Sequence, residues 1–112
     1  MTEEGHRQAA AERQRTRGRL LLPDDIRAYT EICFGLAIHL LAIGAQRRHS
    51  VHQDKHEALG RWLRERGHVP QAEILAELEN IRMGRWYGKQ SNGAAAKRVD
   101  ELLAGLEAWA VA

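Results

Sequence analysis

The chain has 112 residues, a hydrophobic fraction of 44% and a formal net charge of +2. That length suits one domain that hides about two-thirds of its unfolded surface, and the composition excludes disorder over the whole chain. The net charge is too small to demand a nucleic-acid partner. β-Branched residues never alternate with polar ones over a strand length, which excludes a sheet and leaves an all-α fold.

Residues 1–22 read as a basic N-terminal arm or a short helix, and residues 23–112 as a helical bundle domain. Between His6 and Arg19 the chain carries Arg7, Arg13, Arg15, Arg17 and Arg19 against the single acid Glu12. Arginine suits bidentate contacts with phosphate or carboxylate, although a solvated helix face explains the same run. No signal-peptide stretch is present here. Pro23, Asp24 and Asp25 then signal a helix start, and the helix is expected over residues 25–46.

The middle of that helix is apolar nearly all round, so it should be central. Its apolar run, residues 32–45, spans 14 residues, whereas a bilayer needs about 20. The expectation is a buried core helix, no membrane association and a cytoplasmic protein. Cys33 lies inside the run, where a lone thiol packs as a small hydrophobe rather than a nucleophile. A single cysteine forms no internal disulfide, which fits a reducing compartment.

Residues 47–50 read as a loop or fraying end. A third helix is expected from near Asp54, with Leu59, Trp62 and Leu63 on one side. Gly67 is its expected C-cap, and Pro70 forbids continuation. The fourth helix is expected over residues 71–86, followed by breaks at Gly88 and at Ser91, Asn92 and Gly93. The last, over residues 94–110, repeats Val99, Leu102, Leu103, Leu106 and Trp109 at three- and four-residue steps, the spacing of one helical face. Short connections favour an up-and-down bundle of four to five helices.

On the fourth helix Ile74, Leu75, Leu78 and Ile81 form the apolar stripe. Arg82 and Arg85 project into that stripe, so they should meet carboxylates, face a cleft, or snorkel from a tilting helix end. His39 shares a face with Ile32, Leu36 and Ile43. It is either a hydrogen-bonded core residue or, if Arg82 or Tyr87 reaches it, part of a site. His49, His52 and His56 fall at i, i+3 and i+7 and with Asp54 or Glu57 would make metal ligands on an unbroken helix. A loop is expected there instead, so no metal and no cofactor is assigned. Glycines are scattered singly, without a phosphate-cradling loop. Trp62, Trp86 and Trp109 either finish the core or offer dimer-interface surface.

The order HLLAIGAQRRHS, DKHEALGRWLRERG, AEILAELENIRMGRWYG and a final amphipathic helix resembles the HEPN (higher eukaryote and prokaryote nucleotide-binding) family over about residues 25–110. The most characteristic piece is Ile81 and Arg82 with Tyr87 and Gly88 close behind. The resemblance implies a helical bundle, often a homodimer, that binds RNA or a nucleotide through Arg82, Arg85 and Tyr87. It further implies a toxin–antitoxin or defence setting, beside a nucleotidyltransferase-type protein partner.

Active family members cleave RNA without metal, using an arginine followed four to six residues later by a histidine. Arg82 matches the arginine. No histidine follows at that spacing, where Tyr87 and Gly88 stand, and Met83 replaces a polar residue. An arginine exchanges no proton at neutral pH, and tyrosine titrates near 10. The candidates for catalysis are therefore only Arg82, Tyr87 and His39, and binding with no RNase chemistry, or with weak metal-independent RNase chemistry, is expected. The alternative is a protein-interaction or structural bundle in which the arginines pair with Glu77, Glu79 or a partner chain.

Overall fold

The computed structural model describes residues 1–22, 24–51, 56–84 and 91–112. Its elements are α1 (Glu3–Arg19), α2 (Ile26–His49), α3 (His56–Glu65), α4 (Val69–Arg82) and α5 (Asn92–Val111). Among the described residues there is no strand, so the fold is an all-α helical bundle.

Local signals set most of the boundaries. The Thr2 hydroxyl accepts from the Gly5 amide and the Ser91 hydroxyl from the Ala94 amide, which satisfies amides that the first turns of α1 and α5 leave open. The α3–α4 turn is closed by Gly67 at φ +83°, with the His68 amide bonded to the Leu63 carbonyl. Pro70 falls inside the first turn of α4, where a missing N–H does no harm.

Two expectations are corrected. Residues 47–49 are helical rather than a loop, and α2 ends at Ser50 in a left-handed conformation. Side-chain contacts hold this last turn: Arg48 donates to the carbonyls of Gly44 and Trp109, and His49 meets Trp62 and His68. Helix α4 stops at Arg82 rather than continuing to residue 86. Gly84 adopts φ +79° and its amide bonds the Ile81 carbonyl, a turn that helical geometry does not continue.

Long-range contacts give the directions of the helices. Arg17 reaches Tyr29 and His6 reaches His39, so α1 and α2 are antiparallel. Glu31 meets Arg82 and His49 meets His68, which makes α2 and α4 antiparallel. Glu77 meets Arg98 and Ile74 lies at Gly105, which makes α4 and α5 antiparallel. Tyr29 meets Asp100 and Gly44 meets Trp109, so α2 and α5 run parallel at the centre. The four long helices thus alternate in chain order, with short α3 in the connection from α2 to α4.

Helix α2 holds the core together. Cys33, Leu36, Ala37, Leu41 and Ala45 are fully buried, against Leu63, Val99, Leu103 and Leu106 from α3 and α5. Each buried leucine contributes about 1.5–3 kcal/mol, several times the roughly 0–1 kcal/mol typical of an exposed ion pair. By length and hydropathy α2, at 24 residues, is long enough to cross a membrane. In this fold 67% of its most apolar window is buried against the rest of the bundle.

Helix α1 buries only His6 and Ala10, so its attachment is largely polar. Arg17 donates to the Tyr29 hydroxyl at 3.0 Å and to Asp100 at 2.8 Å, and Tyr29 itself donates to Asp100. Burial first, and then the bond to Asp100, push the Tyr29 hydroxyl up to about 12. At the other end of α1 the His6 and His39 rings meet with Nδ1 atoms 2.8 Å apart.

Substitutions at three positions test this packing by thermal or denaturant unfolding. Gly44→Ala places a methyl 2.7 Å from Cη2 of Trp109 and closer to Cζ3, and should destabilise by about 1–3 kcal/mol. Gly60→Ala, mid-helix with nothing within 4 Å, should stabilise by about 0.5–1 kcal/mol. Tyr29→Phe leaves the buried side of Arg17 a partner short and should cost about 1–2 kcal/mol. Wild-type stability in the Tyr29→Phe variant would show that the triad of Arg17, Tyr29 and Asp100 is held by its charges alone.

Candidate functional site

Three sides of α2 are covered by α1, α4 and α5, and its remaining face forms the floor of a cleft of about 850 Å³. Helix α2 contributes Ile32, Phe34, Gly35 and Ile38 to the lining, and α4 contributes Ala72, Leu75 and Ala76. Gly60 of α3 opens one wall, because no atom lies within 4 Å of where its Cβ would stand. Arg13 of α1 crosses onto Gly35, where a Cβ would lie 2.7 Å from its Nε. The rim is charged, with Arg13, Arg61, Arg64 and Arg82 against Glu31, Glu57 and Glu79.

Arg82 does face this cleft, as one branch of the sequence reading requires, and it also meets carboxylates. Its guanidinium lies 4.4 Å over the Phe34 ring and donates to Glu79 at 2.7 Å and to Glu31 at 3.3 Å. Glu79 first, and Glu31 to a lesser extent, hold it firmly protonated. Its buried Nε has no hydrogen-bond partner among the described residues. Glu77, the other acid considered as a partner, bonds Arg98 of α5 instead, and that bond holds its carboxyl below the usual range.

Arg85, Trp86 and Tyr87 lie outside the described residues, as does Gly88. His39 is half-buried and bonded to His6 of α1, while Arg82 pairs with Glu31, eight residues and about 12 Å of helix rise away. Among the described residues no histidine lines the cleft. Metal-free RNA cleavage near neutral pH calls for a proton-transfer group titrating close to 7, and among the described residues the titratable groups of the lining are arginines and glutamates.

The other sequence candidates fall elsewhere. His52 and the His56 side chain lie outside the described residues. His49 pairs with His68, their Nε2 atoms 2.8 Å apart, in an aromatic cluster with Trp62 and Trp109. Arg48 stacks 4.3 Å over Trp109, and Arg66 stacks 4.5 Å over Trp62. Among the described residues no three His, Cys, Asp or Glu side chains group as metal ligands. Cys33 is fully buried, and burial pushes its thiol up to about 11, far from a nucleophile's range.

Sequence reasoning passed over Phe34, Glu31 and Arg13 as site residues. Phe34 left a faint signal as the sole phenylalanine of the chain. Arg13 stood out only as one of the basic run before Arg19, and Glu31 left no signal, because both act across helices distant in sequence. No family model, curated protein or solved structure matches the chain.

The His49–His68 contact has a pH consequence. Burial, then the nearby His49 and Arg48, lower the His68 pKa below its unfolded value of about 6.5. The unfolded chain then binds more protons, so this pair's contribution is fully present above about pH 6.5. It declines as pH falls toward the lowered folded value. Unfolding midpoints measured from about pH 8 to 5 should show that decline, and His68→Asn should flatten it. An equally steep decline in His68→Asn would assign the effect to another group.

Proposed function

We propose that this protein is a helical protein-interaction module and that its cleft over α2 receives apolar side chains of a partner. The observation that carries this reading is the state of Arg82. Glu79 and Glu31 bracket its guanidinium, and Phe34 covers its face. A phosphate arriving there meets a guanidinium with two carboxylates around it, a local excess of negative charge. Below its charged rim the cleft offers hydrocarbon from Ile32, Ile38, Leu75 and Ala76. Clefts with an apolar floor and a few placed charges suit side-chain insertion.

A second reading keeps the HEPN-like module, binding RNA or a nucleotide in a toxin–antitoxin setting, with a homodimer and a nucleotidyltransferase-type partner as its corollaries. Its support is the resemblance around Ile81 and Arg82 together with three further arginines, Arg13, Arg61 and Arg64, on the same rim. Arginine on a cleft edge suits phosphate.

The two readings separate in a titration of labelled single-stranded RNA at low and moderate salt, with wild type and Arg82→Ala side by side. The protein-interaction reading expects at most weak, salt-erased binding that Arg82→Ala leaves unchanged. Tight binding that survives moderate salt and falls about tenfold or more in Arg82→Ala would overturn it in favour of the RNA-binding module.

A further inference from the structure

We infer that the partner element seated in the cleft is an amphipathic helix whose apolar stripe is flanked by acidic side chains. This inference rests on the protein-interaction reading of the cleft.

The first argument is the accounting of backbone hydrogen bonds. Every described lining residue of the cleft belongs to a helix, and among the described residues no strand edge is available to pair an incoming extended peptide. An extended segment laid on Ile32, Ile38 and Leu75 would bury amides and carbonyls without partners, at a substantial penalty each. A helix satisfies those groups internally and brings only side chains to the floor. The walls are shaped for such side chains. Small residues recur at Gly60 on α3 and at Ala72 and Ala76 on α4, the latter two one helical turn apart. Between them they leave hollows of the kind filled by side chains at i, i+3 or i+4, and i+7.

The second argument is charge. The four rim arginines are not equally neutralised. Arg82 has two acids, whereas Arg13 donates only to the carbonyl of Ala9, on its own helix. Arg64 has no ion pair among the described residues. Arg61 reaches only Glu65, at 3.8 Å with both side chains mostly in solvent. The α1 and α3 edges therefore present guanidiniums with vacant donors, and among the described residues Glu57 is the only acid lining the cleft from either helix. Carboxylates on both flanks of a bound helix would meet them in the bidentate geometry that arginine favours. Lysines there would meet like charge, which makes the rim a filter for partner sign as well as a source of affinity.

The test uses the full chain and a fluorescein-labelled synthetic peptide with a leucine stripe flanked by glutamates. Two controls accompany it, a lysine-flanked counterpart and a proline-interrupted version. Anisotropy titrations should show the glutamate peptide binding at least about tenfold tighter than the lysine peptide, with the gap closing as salt rises. Arg61→Glu combined with Arg64→Glu should invert the preference. Ala76→Trp, which fills the cleft from an exposed position, should abolish binding while circular dichroism stays unchanged. Equal binding of both charged peptides, lost in Ala76→Trp, would overturn the acidic flank and leave the cleft a protein site. Undiminished binding of the proline-interrupted peptide would overturn the helix. Failure of every peptide, or binding indifferent to Ala76→Trp, would overturn the protein-interaction reading itself.

Discussion

Helix α2 must be covered, and the rest of the structure is arranged around that requirement. Its 24 residues carry apolar side chains on nearly every face, and a surface of that kind left in water would cost more than any polar contact in the molecule recovers. α5 lies parallel along one side and α4 antiparallel along another. α1 closes a third with an otherwise polar helix. Coverage ends there. Among the described residues the Arg13 and Arg82 side chains, from α1 and α4, cross the fourth face of α2, which becomes the floor of the cleft.

Two polar clusters set how the covering helices sit. At one end Arg17, Tyr29 and Asp100 join α1, α2 and α5 through a single set of bonds. At the other, Arg48 caps the last turn of α5 through the Trp109 carbonyl, and His49 and His68 join the ends of α2 and α4. Hydrophobic burial supplies the bulk of the stability but is non-directional. These directional contacts choose the register in which the burial is made.

The functional reading follows from the same geometry. An arginine on the apolar side of α4 needs compensation, and the fold provides it with Glu31, Glu79 and the Phe34 ring rather than leaving the group free for an anion. The less neutralised arginines stand on α1 and α3, which pack against α2 and α4 respectively. A surface with a hydrocarbon floor and basic groups on its α1 and α3 edges discriminates by partner shape and partner charge together, which is the property expected of an interaction module.

The sequence by itself determined what depends on near neighbours. The absence of strand periodicity, the apolar run of residues 32–45 and the one-sided repeat through Val99, Leu102, Leu103 and Leu106 made the all-α class and two of the helices legible. Gly67 and Pro70 marked the α3–α4 turn, because backbone geometry at such residues is a local matter. The anomaly of Arg82 on an apolar stripe was visible too, but its resolution was not. Glu31 lies 51 residues from Arg82, Asp100 lies 83 from Arg17, and His68 lies 19 from His49. Pairings at such separations are set by how helices cross, which periodicity does not encode. Only the tertiary structure decided that residues 47–49 extend α2, since Arg48 and His49 have their partners on other helices. It alone decided that no described helix covers one face of α2, because that depends on which helices cover the others.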